Sequence, residues 1–336
     1  MTISQLVATS GAQMRVFDMG RRISKIGRKE FEAFEELARP YPSPYLRHAW
    51  LGILSWNPKQ AGQHNIWFLK LPLDEQNILQ PGPRDAFLQH WLRVVANPDQ
   101  EHGEAPCSFK PDASRMAYFH ALALRLLGQP TTQYYATARA YLSGDNDFSQ
   151  WQHLGLQGLA EVVARIDEDH NQELIASAMT SMPAVPRNAL LGFLENAEAG
   201  PQLTNALNDA LAQVMAEIPQ AADLAAFARA LSASVSVDQR QQLLDLMMLH
   251  PAARDVEVIS ALGSRCWQDL EGRRLHNYLE LLAALGDQVF SALIADLMTL
   301  PGMRGRILEA FRNPQRSDQL STAIGHLMAA ARGQMQ

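Results

Sequence analysis

Five prolines in the last two-thirds of the chain share one local pattern, and this pattern limits what the chain can fold into. Each proline follows large apolar residues placed eight and four positions before it. The five sets are Leu122/Leu126/Pro130, Ile175/Met179/Pro183, Leu211/Met215/Pro219, Leu243/Met247/Pro251 and Leu293/Leu297/Pro301. Apolar residues four apart lie on one face of a helix, whereas a following proline can begin the next helix but not continue the first. The pattern therefore predicts a series of helical hairpins.

The spacing of these prolines favours one helical architecture over another. The intervals are 53, 36, 32 and 50 residues. Two of them fit a hairpin of about 34 residues, and two require a longer or inserted helix. Such irregular spacing resembles HEAT-like arrays more than tetratricopeptide arrays, whose Trp-Leu-Gly-Tyr pattern is missing. We predict an all-α, HEAT-like helical-repeat domain (an α-solenoid) over residues 112–333. An irregular helical bundle is the alternative, since this spacing arises readily in Ala/Leu/Met-rich helices.

The first 97 residues instead show the mixed pattern of a small α+β domain. Residues 40–44 contain three prolines and predict an extended loop. Alternating and helical periodicities divide the remainder into an α-β-β-α-β-β-α plan. The predicted elements are a helix over Thr2–Gly11, strands over Met14–Met19 and Arg22–Ile26, a helix over Arg28–Ala38, strands over Ala49–Trp56 and Asn65–Leu71, and a helix over Arg84–Val95.

Charge and proline content place a boundary after this domain. Residues 98–111 include three prolines without apolar periodicity, and they predict a linker. Residues 1–100 carry 12 Lys+Arg and 9 Asp+Glu, a net +3, whereas residues 101–336 carry 17 and 26, a net −9. This asymmetry supports two units with different surfaces.

Composition narrows the class of protein. Nearly half the residues are apolar and under a fifth are charged, as in a folded chain. The two cysteines, Cys107 and Cys266, form no CxxC pair, so neither a disulfide framework nor structural zinc is predicted. Met1–Met14 lacks the pattern of a signal peptide, and no apolar run approaches the roughly 18 residues of a membrane span. We expect a cytoplasmic protein without a membrane segment.

Motifs that carry standard chemistry are missing from the sequence. It contains no GxGxxG after a strand, no GxxxxGK[ST], no HExxH and no GxSxG. We therefore predict no catalytic residue, no cofactor and no metal site. A non-enzymatic role is the expectation.

One polar cluster stands out as a candidate binding surface. Five cations gather around the first predicted hairpin: Arg15, Arg21, Arg22, Lys25 and Arg28. On alternating strands these cations would share an exposed face, which suits a protein partner or a small anionic ligand. The alternative is that they pair with glutamates of the next helix or are simply solvated. Nucleic acid is disfavoured, because the net charge of +3 is small and the following region is acidic.

Aromatic residues crowd the second predicted hairpin. Trp50, Trp56, Trp67 and Phe68 fit the core of a small domain. Trp56 also lies beside a turn, where it is predicted as an exposed anchor for a partner.

Three short motifs resemble an uncharacterised bacterial family classed as a domain of unknown function. They are Phe17–Arg22 (FDMGRR), Pro40–Pro44 (PYPSP) and Trp67–Glu75 (WFLKLPLDE). The resemblance spans the whole chain, although its motifs lie in the first eighty residues. It implies a bacterial, cytoplasmic protein and assigns no site residue.

These observations lead to two hypotheses from different classes. The first is a non-enzymatic scaffold or adaptor that binds a protein partner, because helical arrays offer extended contact surfaces. The alternative is an enzyme or small anionic-ligand binder with a site at the domain junction. That site would use Asp18, Arg21, Arg22, Lys70, Asp74 and Glu75. No sequence pattern specifies an oligomeric state.

Overall fold

Helices dominate the structure, and a small antiparallel sheet lies near the N-terminus. A computed structural model describes residues 1–59, 64–97, 103–145, 147–217 and 219–333. The chain forms two compact units, Met1–Arg115 with Thr299–Pro301, and Met116–Met298 with Gly302–Gln336. Residues 98–102 of the predicted linker lie outside the described residues, and the predicted boundaries stay a prediction. None of the described helices combines the length and apolar character needed to cross a membrane.

The first unit follows the predicted α-β-β-α-β-β-α order. The elements are α1 (Ile3–Thr9), β1 (Gln13–Asp18), β2 (Ser24–Ile26), α2 (Arg28–Glu35), β3 (His48–Trp56), β4 (His64–Pro72) and α3 (Pro81–Ala96). The proline-rich segment 40–44 contains no helix or strand, as its backbone restrictions predict. The prediction of a small α+β unit is confirmed.

The four strands form one antiparallel sheet in the order β2-β1-β3-β4. Val16 lies opposite Ile26 on one side and opposite Ile53 on the other. Leu51 lies opposite Leu69 on β4. Because side chains alternate along a strand, this register directs these apolar residues to the same face of the sheet.

That face forms the core of the first unit against its three helices. The core includes Ile3 from α1, Phe31 and Phe34 from α2, and Phe87 from α3, all almost fully buried. Trp67 joins them, with its ring 6.5 Å from that of Phe87 between centroids. Three helices covering one sheet face give an unpaired sheet the burial it needs.

The opposite face of the sheet carries a second aromatic group. At the edge of the sheet, strand β4 also pairs with a later segment of the chain. Phe109 packs edge-on against Trp50, with ring centroids 4.8 Å apart, and also contacts Phe68. The Lys70 amide donates to the Cys107 carbonyl at 2.7 Å, and the Phe109 amide donates to the Phe68 carbonyl at 3.1 Å. Part of the predicted linker therefore pairs with the outer edge of β4.

From residue 113 onward the described elements are helices, apart from an isolated β-bridge between Ala199 and Ser234. The helices are α4 (Ala113–Leu126), α5 (Gln133–Leu142), α6 (Leu156–Ala164), α7 (Asn171–Ala178), α8 (Ala184–Leu194), α9 (Pro201–Ala216), α10 (Ala221–Leu231), α11 (Val237–Leu249), α12 (Val256–Arg265), α13 (Gly272–Ala283), α14 (Asp287–Leu297), α15 (Met303–Ala310) and α16 (Asp318–Gly333). Short 3-10 helices cover Phe148–His153, Pro251–Arg254 and Trp267–Asp269. None of the five signature prolines lies inside an α-helix, so the predicted helix breaks are confirmed.

Alternate helices of the second unit pack against one another. Helix α6 contacts α8, and the series continues through α10, α12 and α14 to α16. On the other side, α5 contacts α7, α7 contacts α9, and α11 contacts α13, which contacts α15. Fully buried side chains such as Leu194, Phe227 and Leu262 fill the space along the first row.

Glutamates from neighbouring helices complete the start of three helices. Glu35 of α2 accepts the amide of Ile3 at 2.7 Å, at the first residue of α1. Glu161 of α6 accepts the Thr132 amide and hydroxyl before α5. Glu280 of α13 accepts the Ser317 amide at 2.9 Å before α16. Each carboxylate satisfies helix-end donors and fixes the position of one helix against another.

Candidate functional site

The structure brings two predicted cations, Arg15 and Arg28, to one shallow pocket of about 280 Å³. Arg15 lies on β1, and Arg28 is the first residue of α2. The pocket is also lined by the polar residues Ser4, Gln13 and Glu32. Arg28 Nε donates to Glu32 Oε1 at 2.8 Å, which is the pairing with the adjoining helix that the alternative interpretation anticipated. Arg15 gives the pocket a second cation.

Trp56 lies at the end of β3 under the Arg15 side chain. The guanidinium carbon of Arg15 is 5.5 Å from the centroid of the Trp56 ring. Trp56 is partly buried and lies opposite Gln13 on β1 and His64 on β4. The predicted anchor is therefore half covered. This cation–π contact places it next to the pocket lined by Arg15 and Arg28, which we call the Arg15 pocket.

Arg21 does not lie on the exposed face predicted for it. Only 3% of the residue is exposed, and its Nε donates to the Pro44 carbonyl at 3.1 Å. Its guanidinium also lies 5.6 Å from the Tyr45 ring centroid. The prediction of a shared cationic face is wrong for Arg21, because the loop after α2 folds onto the β1–β2 turn and supplies a carbonyl to this side chain.

The remaining predicted cations are more accessible. Arg22 lies in the same turn and is partly exposed. Lys25 is exposed on β2, opposite Phe17. Exposed Lys25 and Arg28, half-buried Arg15 and buried Arg21 occupy different environments, so the five residues do not form one uniform surface.

Asp18 is a buried carboxylate of the first unit whose pKa is raised. The residue is 2% exposed, and its Oδ1 accepts a hydrogen bond from the Tyr41 hydroxyl at 2.6 Å. Burial raises its pKa to about 6, although hydrogen bonds from Tyr41, Gly20 and Ser43 and the charge of Arg115 act in the opposite direction. Burial also raises the pKa of Tyr41, together with the neighbouring Asp18 charge. Asp18 is therefore a buried carboxyl whose protonated form the fold favours.

Two of the three segments on which the predicted resemblance rests meet at this carboxylate. Tyr41 and Pro44 belong to the PYPSP segment, and they contact Asp18 and Arg21 of the FDMGRR segment. A Cβ atom at Gly20 would lie 3.0 Å from the Tyr45 Cβ, so the loop and the turn approach as closely as a glycine permits. The two motifs thus form one structural element.

In the third segment, Lys70 contacts an aromatic ring and Asp74 binds backbone amides. Lys70 Nζ lies 4.5 Å from the centroid of the Trp50 ring. Asp74 Oδ1 accepts the amides of Gln76 and Ile78 at 2.8 and 2.9 Å, which closes the turn after β4. Glu75 is exposed. These contacts account structurally for Lys70 and Asp74.

Arginines connect different helices and turns of the second unit. Residues 111–336 contain 16 arginines and no lysine. Several of these arginines bind a carboxylate and a backbone carbonyl together, which a planar guanidinium can do and a lysine ammonium cannot match. Examples are Arg125 with Asp167 and the Ala164 carbonyl, Arg240 with Asp269 and the Ser234 carbonyl, and Arg274 with Asp245 and the Asp269 carbonyl.

Two depressions flank the N-terminal end of α13 and meet at Glu271. We call them together the α13 groove. The first, between α11 and α13, is about 290 Å³ and is lined by Asp245, Leu249, Glu271, Arg273, Arg274 and Asn277. The second, between α13 and α15, is about 550 Å³ and includes His276, Arg306, Glu309, Arg312 and Asn313. The groove is lined by both charged and apolar side chains.

Sequence reasoning missed the α13 groove because its residues come from three separate helices. One signal was available in the sequence. Residues 302–316 carry four arginines and one glutamate inside a region whose net charge is −9. A local basic stretch in an acidic domain could have marked α15 as a candidate surface.

Comparison with known proteins gives one finding at the level of the family. A family model described as "Protein of unknown function (DUF3549)" matches residues 1–328. The chain belongs to this family. The predicted resemblance to a family of unknown function is thereby confirmed, and the match to DUF3549 covers nearly the whole chain. No curated protein and no solved structure matches it.

Proposed function

We propose that this DUF3549 protein is a non-enzymatic interaction scaffold whose second unit is a HEAT-like α-solenoid. The regular contact of alternate helices, from α6 to α16 in one row and from α11 to α15 in another, supports the proposal. In a solenoid each hairpin packs on its neighbours and leaves a continuous surface for binding. In an irregular bundle the helices would instead share one central core.

The surface with the best support lies on the row α11–α13–α15. Leu246 and Leu249 of α11 are 52% and 77% exposed, and they are three residues apart on one helix face. Leu249 also lines the α13 groove. Together they form an apolar patch beside the groove, and contiguous exposed apolar patches mark protein contact surfaces.

The proposal is tested by purification of the full chain from the cells that produce it. We expect a stoichiometric protein partner that stays bound through size-exclusion chromatography. A Leu246→Ser/Leu249→Ser variant should lose this partner, because it removes the apolar contact and leaves the buried residues unchanged. A Val185→Ser variant is the matched control, since Val185 is 58% exposed on α8, away from these helices.

Two results would contradict the scaffold function. The first is a wild-type chain that emerges alone at every salt concentration tested. The second is equal loss of the partner in the leucine variant and in the Val185 control, which would show that no defined surface is used.

The Arg15 pocket supports a second candidate function, the binding of a small anion. It places Arg15 and Arg28 around a cavity of about 280 Å³. Thermal denaturation with added inorganic phosphate tests it. An increase in Tm that disappears in Arg15→Ala/Arg28→Ala supports the site, and a Tm that phosphate leaves unchanged in the wild type excludes phosphate as its ligand.

A further inference from the structure

The α13 groove contains cations that the protein's own carboxylates do not neutralise. Arg274 Nε is 2.8 Å from Asp245 Oδ1, and Arg306 is 3.6 Å from Glu271. Arg273 and Arg312 are exposed, and neither pairs with a carboxylate in the described part of the chain. After the internal pairs are set aside, two arginines remain in the groove against the single carboxylate of Glu309.

The backbone at the centre of the groove also favours the binding of a negatively charged group. Helix α13 begins at Gly272, and the preceding Glu271 does not cap it with its side chain. Uncapped amides and the helix dipole give this end a partial positive charge. A Cβ atom at Gly272 would meet no atom within 4 Å, so the space over the backbone next to Glu271 is open.

Apolar surface marks one end of the same groove. Leu249 lines the depression beside α11, and Leu246 lies one turn before it on the same helix. The order across the surface is therefore leucines on α11, then Arg273 on α13, then Arg312 after α15. A ligand that matches this order is long, with an apolar end and an acidic continuation.

We infer that the α13 groove binds an extended protein segment in which one or two large apolar residues adjoin a run of acidic residues. The apolar residues contact Leu246 and Leu249, and the acidic run passes the N-terminus of α13 between Arg273 and Arg312. Arginine suits this role because its planar guanidinium binds carboxylates through two parallel hydrogen bonds. The inference rests on the scaffold function proposed above and names the chemistry of its partner.

The test measures binding of defined peptides to the full chain by fluorescence anisotropy. The probe is a labelled peptide with two leucines followed by six glutamates, and the comparison peptide replaces the glutamates with lysines. We expect the acidic probe to bind at least about tenfold more tightly than the basic one, and to weaken as salt rises from 50 to 300 mM.

Paired variants locate the contact. Arg273→Ala/Arg312→Ala should lower the affinity for the acidic probe by about tenfold. Arg254→Ala/Arg304→Ala removes the same charge from exposed arginines outside the groove lining, and it should change the affinity by less than about twofold. Arg273→Glu/Arg312→Glu should reverse the preference and bind the lysine probe, which a misfolded variant could not do.

Three outcomes would overturn the inference: equal binding of the acidic and basic peptides, equal loss in the groove and control variants, or no reversal in the glutamate variant. These outcomes are separable from failure of the scaffold function. If the purified partner still depends on Leu246 and Leu249 while the acidic probe does not bind, the scaffold function stands and the acidic segment is excluded.

Discussion

Asp18 shows how one buried side chain can link stability to pH. Its carboxyl is enclosed by the Tyr41 loop and the β1–β2 turn, and burial raises its pKa from 3.8 to about 6. Between these two values the folded state binds more protons at this site than the unfolded state does. Stability therefore falls as pH rises from about 4 to about 6, and the full loss is present above pH 6.

An Asp18→Asn substitution should remove this pH dependence. A shift of this size corresponds to about 3 kcal/mol at 1.36 kcal/mol per pKa unit. Asparagine stays neutral and still accepts the Tyr41 hydroxyl bond through Oδ1. We therefore expect the decline in the free energy of unfolding, measured by urea denaturation from pH 4 to pH 7, to shrink by about this amount in the variant. Glu35, whose pKa burial also raises, keeps its own contribution to the decline.

A matched control for Asp18→Asn is Glu75→Gln, which removes an exposed carboxylate after β4. The control should keep the wild-type decline between pH 4 and pH 6. An Asp18→Asn protein whose unfolding free energy still falls by the wild-type amount would show that another group carries the titration.

The individual side chains show why the candidate site was only partly predictable. The sequence indicated that Arg15 and Arg28 belong to a cationic cluster, and the structure brings them to one pocket. Arg21 looked identical by sequence, yet it is buried because Pro44, 23 residues later, supplies its carbonyl partner. A strand pattern gives the face of a residue but not the loop that covers that face.

At the scale of elements, α5 and α6 approach so closely that only glycine fits at Gly158. A Cβ atom there would lie 2.3 Å from the Tyr134 carbonyl oxygen and 3.1 Å from the Ala138 Cβ. Gly158→Ala should therefore force the two helices apart. We expect a loss of about 1–3 kcal/mol in the free energy of unfolding, measured by urea denaturation.

Gly192 in α8 provides the opposite case on a neighbouring helix. An added Cβ at Gly192 would meet no atom within 4 Å. Gly192→Ala should therefore stabilise the chain by about 0.5–1 kcal/mol through helix propensity alone. Equal effects of the two substitutions would show that the α5–α6 contact is looser than described.

The turn between the Tyr41 loop and β3 contains backbone strain, because two of its residues adopt the left-handed conformation. Leu46 and Arg47 both have positive φ, 49° and 59°, although neither is glycine or asparagine. The hydrogen bonds between Tyr45 and His48 close a two-residue hairpin turn that favours Asn-Gly. Leu46→Asn/Arg47→Gly should raise the free energy of unfolding by about 1 kcal/mol in urea denaturation. No gain, or a loss, would mean that the native side chains stabilise this turn.

The elements of this fold were largely predictable because their periodicities are strong. Alternation identified β1, β3 and β4, and prolines identified the helix breaks of the second unit. The pairing of Cys107–Phe109 with β4 was not predictable, because a short segment with prolines on both sides resembles a linker. The α13 groove was missed for a related reason, since it exists only once three helices are packed together.

At the scale of the whole molecule, a substitution at Arg240 tests how stability is distributed in the second unit. Its helices are stabilised either by their neighbours alone or by one core that all of them share. Arg240 binds Asp269 through two hydrogen bonds of 2.7 and 2.9 Å and also binds the Ser234 carbonyl. Arg240→Ala leaves Asp269, 4% exposed, without this partner. We expect a loss of about 3 kcal/mol in the free energy of unfolding.

Hydrogen exchange then distinguishes a solenoid from a bundle. In a solenoid the Arg240→Ala change should raise amide exchange in α10, α11 and α13 and leave α5–α7 as in the wild type. Uniformly faster exchange over all these helices would instead indicate one shared core. Arg254→Ala, at an exposed arginine, is the control and should change the unfolding free energy by less than about 0.5 kcal/mol.

The second unit contains arginine but no lysine, and this determines which chemical reagents can modify it. The chain's lysines are Lys25, Lys29, Lys59, Lys70 and Lys110, so residues 111–336 offer no primary amine on a side chain. Amine-directed cross-linkers and acetylating enzymes therefore report only on the N-terminal third of the molecule. A lysine-specific protease likewise leaves the entire arginine-linked array as one uncut fragment, whereas carboxylate-directed reagents reach both parts of the chain.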